Sequence, residues 1–253
     1  GHDFTDHGKQ RYTLDLTLSP AQGLSVHQGG RQLGAWPLQI VTDQPPIAVF
    51  PDLPEQTLHH ALRIGYEIYD DFGVAALHIE TKGEERLGRH GETIEISPPK
   101  TRGNDGISAV HYEDLSASPW AGETVEMKLV ALDALGQEGQ SLPLNITLPE
   151  RSFKHPVARA LIDIRKNLFK RPDARGAPSR FLDAIARSPQ EYDGDLTAYA
   201  AMRVAHWRLI HDQDIAAIEQ VTDILWDTAL RLEDGGLSQA QQKLRETMQD
   251  LMS

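Results

Sequence analysis

Asp70 and Asp71 sit in the segment Asp70-Asp71-Phe72-Gly73, and with Asp133 or Glu138 they could supply the several oxygen ligands that calcium prefers in a loop. Turn chemistry accounts for the same residues, because aspartate bonds to nearby backbone and glycine accepts positive φ. That reading is adopted, and millimolar calcium is then expected to leave the melting temperature unchanged. Among the histidines, His59 and His60 are adjacent near a strand start and point to opposite faces, so they cannot easily share one metal. His90 stands apart, and His78 and His111 converge only if their strands are neighbours in the right register. His206 and His211 are five apart and lack the i, i+4 spacing and the glutamate of a zinc-protease helix. They are read as packing or cap residues, and His155, before Pro156, as a helix cap.

Glu233 and Asp234, followed by Gly235, invite comparison with two-carboxylate hydrolases. Consecutive acids at a helix end do not face one another across a substrate, so a helix-to-helix turn is expected instead. Neither a serine nucleophile elbow nor a phosphate-cradling glycine loop is present. Trp207 and Trp226 fit helix faces and are read as core. Arg165, Lys166, Lys170, Arg171 and Arg175 close a helix, where cations meet the negative end of the macrodipole. No catalytic, cofactor-binding or metal-binding residue is assigned, and no cofactor is expected.

These residues must be positioned by a chain of 253 residues, long enough for two ordinary domains. A hydrophobic fraction of 40% with 25% charged residues is globular composition. The net charge of -12 argues against a nucleic-acid partner, since phosphate binding needs a field of Lys and Arg. The absence of cysteine removes disulfides, thiolate metal sites and cysteine nucleophiles. No run of 18 apolar residues exists, and Gly1-His2 reads as a cloning remnant, so any membrane anchor is expected to lie outside this stretch.

The hydrophobic rhythm changes near Leu148 to Phe153, from every second residue to every third or fourth. The expected fold class is α+β with two segregated parts, an immunoglobulin- or fibronectin-like antiparallel β-sandwich followed by an all-α helical bundle. Residues 1–45 are read as strands closing a preceding sandwich, with Tyr12 to Leu18, Leu24 to His27 and Trp36 to Val41 as candidates. Asp43 to Pro46 is a connector because proline cannot donate to a sheet ladder. Residues 46–150 hold seven short strands separated by turns, including Ala61 to Asp70, Val74 to Thr81, Ile107 to Leu115 and Val125 to Asp133, as a two-sheet sandwich requires. Asn145 of the Asn-Ile-Thr sequon belongs to a strand, and Asp133 to Gly139 is a turn.

Residues 151–253 are the helical domain, expected to be truncated at its C-terminus. A first helix opens at Pro156, carries Val157, Leu161, Ile164 and Leu168, and is limited by Pro172. A second uses Phe181, Leu182 and Ile185. A third, Leu196 to Ile210, is expected to bury Leu196, Tyr199, Met202, Ala205 and Leu209. A fourth, capped by Asp212 or Asp214, carries Ile215 to Leu232 and stops at Gly235 and Gly236. Ser238 with Gln241 then opens a fifth bearing Leu244, Met248 and Leu251.

The stretches Tyr66-Glu-Ile-Tyr-Asp-Asp-Phe-Gly-Val74, Ala131-Leu-Asp-Ala-Leu-Gly-Gln-Glu-Gly-Gln-Ser141, Leu148-Pro-Glu-Arg-Ser-Phe-Lys-His-Pro-Val-Ala-Arg-Ala-Leu161 and Leu225-Trp-Asp-Thr-Ala-Leu-Arg-Leu-Glu-Asp-Gly235 together resemble the bacterial domain-of-unknown-function 4175 family. The resemblance runs from about Pro46 to the C-terminus. It implies a large envelope protein with membrane helices nearer its N-terminus, a periplasmic location for this part and an inner-membrane anchor. It implies no reaction, and no residue roles are carried over.

The function expected is therefore a non-enzymatic scaffolding or protein-interaction module of the cell envelope, with a protein partner there. The alternative is a protein that binds or hydrolyses cell-wall carbohydrate or peptidoglycan, using Asp70, Asp71 or the Glu233 region in a cleft between the two parts.

Overall fold

The computed structural model describes residues 5, 6, 12, 13, 23–58, 60–98 and 106–252, from 236 onward as backbone only. The chain divides into two compact units, Gly1–Gln44 and Pro45–Ser253. In the first, β1 (Thr5–Asp6) pairs antiparallel with β2 (Tyr12–Thr13), and β3 (Gly23–Gln28) with β4 (Arg31–Pro37). Gly29 and Gly30 join β3 to β4 at φ of 55° and 80°, the left-handed pair that a two-residue hairpin demands. That turn places the second strand of the ribbon at Arg31–Pro37 rather than at Trp36 to Val41. The expected strand Tyr12 to Leu18 lies, after Thr13, outside the described residues.

In the second unit the chain runs through β5 (Ile47–Val49), β6 (Glu55–Gln56), β7 (Leu62–Tyr69), β8 (Val74–Lys82), β9 (Thr93–Ile96), β10 (Ile107–Glu113), β11 (Thr124–Asp133), β12 (Glu138–Gln140) and β13 (Leu144–Thr147). One antiparallel sheet has the order β10-β7-β5, with β6 also on β7; the other has β12-β11-β8-β9, with β13 also on β11. Four strands face five in a two-sheet antiparallel sandwich, the short strands β6 and β12 being additional to the seven expected from sequence. Period-2 alternation fixes the faces. Leu62, Ile64, Tyr66 and Ile68 from β7 meet Val125, Met127, Leu129 and Ala131 from β11 in one buried core. Asp133 to Gly139, expected as a turn, is a tighter one followed by the short strand β12. Asp133 Oδ1 accepts from the backbone N–H groups of Leu135 and Gln137, both at 2.8 Å, which closes the turn early.

Helices follow: α1 (Pro156–Lys170), α2 (Gly176–Ala186), a 3-10 turn at Pro189–Tyr192, α3 (Leu196–His211) and α4 (Ile215–Met252). Val157, Leu161, Ile164 and Leu168 of α1 pack with Leu182, Met202, Leu209, Ile218, Leu225 and Ala229 in a second core. His155 Nδ1 caps α1 at Ala158 N, Asp195 caps α3 at Thr197 N and Ala198 N, and Asp214 caps α4 at Ala217 N. The fourth and fifth helices expected from sequence are one continuous helix. Gly235 is not among the residues at positive φ, so it does not form a left-handed cap. A helical glycine costs only about 1 kcal/mol relative to alanine, which good helix formers on both sides outweigh. No helix among the described residues is long and apolar enough to cross a membrane.

The two cores are locked together. Leu87, in the sandwich loop after β8, is buried within the helical core and held at φ 51°. Trp120 is buried beneath the same loop, its indole Nε1 donating to Glu84 O at 2.7 Å, and Gly83 lies against the ring where any side chain would collide.

Candidate functional site

An α-helix turns about 100° per residue, so Ala198, Met202, Ala205 and Leu209 share one face of α3, and all four are buried. Leu196 and Trp207 lie opposite that face, flanked by Tyr199 and Ile210 on one side and by Val204 on the other. Leu196 is 80% exposed, Trp207 50%, and the others between 43% and 47%. This corrects the expectation that Leu196, Tyr199 and Trp207 are core. The buried face is the one with two alanines, which lets the neighbouring helices approach closely, and the larger side chains are left outside.

Trp207 is held in place by its surroundings. His211 stacks on the indole with centroids 5.0 Å apart and planes 13° from parallel, and His206 meets it edge-on at 5.7 Å. The Arg203 guanidinium lies 5.8 Å from the ring. These neighbours are themselves tethered to α2: Arg203 to Asp183 at 2.5 Å, and His206 Nδ1 to the Ser179 hydroxyl and carbonyl at 3.0 and 2.9 Å. Desolvation pushes the Asp183 carboxyl up, but the hydrogen bond and charge of Arg187 and the hydrogen bond of Arg203 prevail and hold it below its usual range. A fixed aromatic platform loses little side-chain entropy on binding, and Trp, Tyr and Arg are the side chains that most often carry interface energy.

Charge separates along the chain. Residues 151–211 hold twelve Lys and Arg against six Asp and Glu, whereas residues 46–150 hold seven against eighteen. On α1 and α2 a groove of about 220 Å³ is lined by Ile164, Asn167, Arg171, Ala174, Pro178 and Phe181, and Phe181, read from sequence as core, is 62% exposed. Ile164 stays in the core while Phe181 forms the outer lip.

The other sequence candidates have structural partners. Arg165 is buried between Phe169 and Trp226, 4.5 and 5.0 Å from the rings, and donates to Thr222 O at 3.0 Å and Ala117 O at 2.6 Å. Burial pushes its guanidinium down to about 10, against the pull of Asp223 and Asp227, so it remains charged at neutral pH. Lys166 pairs with Glu150 at 2.5 Å, Lys170 with Glu123 at 2.7 Å, and Arg175 donates to the carbonyls that end α3 at Asp212, Gln213 and Asp214. Trp226 is half-buried, edge-on to Phe153 at 5.7 Å.

Glu233 is buried and accepts from the backbone N–H groups of Lys154 and His155, both at 2.9 Å, while Asp234 pairs with Arg151 at 3.1 Å. Both acids therefore lie mid-helix in α4 and tie it to the entry of α1, in place of the expected helix-to-helix turn. His78 and His111 lie on strands of different sheets and bond to Glu80 and Glu113 at 3.5 and 2.9 Å. His60 contacts Gln56 at 3.2 Å, His90 is exposed, and His59 lies outside the described residues. Asn145 lies exposed on β13. Among the described residues no three of His, Asp or Glu converge closely enough to hold a metal on side chains alone.

Asp70 Oδ2 accepts from Phe72 N at 3.1 Å and from Gly73 N, while Gly73 takes φ 105°. This is an aspartate-stabilised turn around a left-handed glycine. Of the candidates, only the aromatic face of α3 combines apolar area, fixed geometry and access to solvent. No curated protein matches the chain. Residues 3–253 match the family described as Domain of unknown function (DUF4175), and the chain belongs to that family.

Proposed function

We propose that this chain is the periplasmic part of a membrane-anchored envelope protein and works there as a protein-interaction module, with the outer face of α3 as its docking surface. The observation that carries this reading is the exposed row of Leu196, Tyr199, Trp207 and Ile210. Several large apolar side chains exposed on one side of a helix are the kind of surface that interaction sites use. The partner that fits this face is a protein presenting apolar side chains to it. The envelope location rests on the family resemblance.

The test is site-specific photo-crosslinking of the full-length anchored protein in cells. A photoreactive residue at Tyr199 or Trp207 is expected to give one discrete heavier species, and the same residue at Glu95, exposed on β9, none. Trp207→Ser should abolish the species formed from position 199 while leaving the chain folded, at a stability cost of about 1 to 2 kcal/mol from its lost ring contacts. Equal labelling from all three positions, or none from α3, rejects the proposal.

A further inference from the structure

The inward-facing series of β7, Leu62, Ile64, Tyr66 and Ile68, continues by its period of two to Asp70. On the opposing sheet, the inward series of β11, Val125, Met127, Leu129 and Ala131, continues to Asp133, which is only 4% exposed. Both acids lie at the same end of the sandwich. Asp133 pairs with Val74 at the start of β8, and Asp70 Oδ2 accepts from Gly73 N one residue earlier. Pro46 lies at this end too, since Ile47 pairs with Tyr69, and its carbonyl packs against Gly139.

One oxygen of each carboxylate is satisfied by its own turn. The other, Oδ1 of Asp70 and Oδ2 of Asp133, is buried with no hydrogen-bond partner among the described residues. Turn chemistry explains the first pair of oxygens and not the second. A carboxylate oxygen can only accept, and leaving it buried and unpaired is costly. Two such oxygens lie at the same end of one core, on sheets that pack about 10 Å apart, where a cation would neutralise them.

The geometry points to a calcium site at this end of the sandwich, with Asp70 and Asp133 as its two carboxylate ligands. Turn carbonyls and water complete the six to eight oxygens that calcium takes at about 2.4 Å. The chemistry favours calcium over zinc, because the described side chains offer two hard oxygens and no third His, Asp or Glu. It favours calcium over magnesium, because loop ligands do not impose the near-ideal octahedron that magnesium demands.

The experiment is thermal unfolding of the intact chain in chelator, in 10 mM CaCl₂ and in 10 mM MgCl₂, with calorimetric titration of CaCl₂ into chelator-treated protein. The expected result is one calcium per chain and a melting temperature about 5 °C higher in calcium, as a site of about 10⁻⁴ M affinity would give. Magnesium should give less than half that rise. Asp133→Asn keeps an oxygen for Leu135 and Gln137, so it should fold, melt higher than wild type in chelator and lose the calcium response. Asp70→Asn provides the second variant should the first fail to fold. An equal rise in magnesium, an unchanged calcium response in either folded variant, or a wild type that neither binds nor responds to calcium overturns the assignment.

Discussion

The seam between sandwich and helices and the outer face of α3 are built from similar residues to opposite ends. At the seam an arginine lies on two aromatic rings, Arg165 between Phe169 and Trp226, and its donors reach carbonyls on both parts. On α3 an arginine and two histidines surround Trp207, but the indole remains half in solvent. The seam converts cation–aromatic chemistry into rigidity, while α3 leaves the same chemistry available. The buried aromatic–cation contact serves packing, and the proposed docking role rests on the exposed one.

The strongest way to break this comparison is to open the seam. Leu87 is the sandwich residue that enters the helical core, and it holds a left-handed φ that a bulky side chain ordinarily avoids. Leu87→Ala is expected to cost about 2 to 4 kcal/mol, from lost contacts and the cavity left behind. Urea unfolding followed by tryptophan fluorescence would show it, and the single transition of wild type should broaden or split as sandwich and helices uncouple. A loss under 0.5 kcal/mol would mean that the two parts do not depend on this residue.

Leu87 also shows where sequence reading stops. Strand alternation on β7 and β11 and helical spacing on α1 were legible because each pattern is local and one face is clearly apolar. Leu87 sits in a loop with no periodicity, and the rest of its core cluster begins only at Phe153. On α3 both faces carry apolar residues, so the expected set mixed them: Met202, Ala205 and Leu209 are buried as expected, while Leu196 and Tyr199 face out. The useful signal was the pair Ala198 and Ala205, small residues in the i, i+7 relation of a closely packed face. Glu233 was read as a helix end because Gly235 and Gly236 follow. Its long-range role, accepting from the backbone of Lys154 and His155, leaves no trace in local spacing.

A milder substitution sharpens the comparison at the point where α4 leaves the seam. The position of a Cβ at Gly235 meets nothing within contact range, and its φ is not left-handed. Gly235→Ala should therefore stabilise the chain by about 0.5 to 1 kcal/mol, through reduced backbone freedom in the unfolded state. Loss of stability would instead show that Gly235 caps a helix ending at the seam, so that Ser238 opens a separate one. Circular dichroism at 222 nm, combined with denaturant midpoints, distinguishes the two.

The smallest effect concerns the ion pairs at the rim of the seam. A hydrogen bond from Lys170 holds the Glu123 carboxyl below its ordinary range, against a smaller opposing push from desolvation, with Lys170, Arg86 and Lys166 adding charge attraction. A carboxylate depressed in the folded state binds fewer protons there than in the unfolded chain, so stability rises with pH through that range. The contribution is complete above the unfolded value near 4.3 and disappears as pH falls through the lower folded value. Both partners are nearly half exposed, so solvent screening limits the pair to a few tenths of a kcal/mol. Glu123→Gln should thus destabilise slightly at pH 7 and not at all well below pH 4, and 1 M salt should shrink the difference at pH 7. A gap above 1 kcal/mol that persists in high salt would make charge, rather than Leu87 and Trp120, the agent that joins sandwich to helices. The contrast with the α3 face would then rest on electrostatics instead of packing.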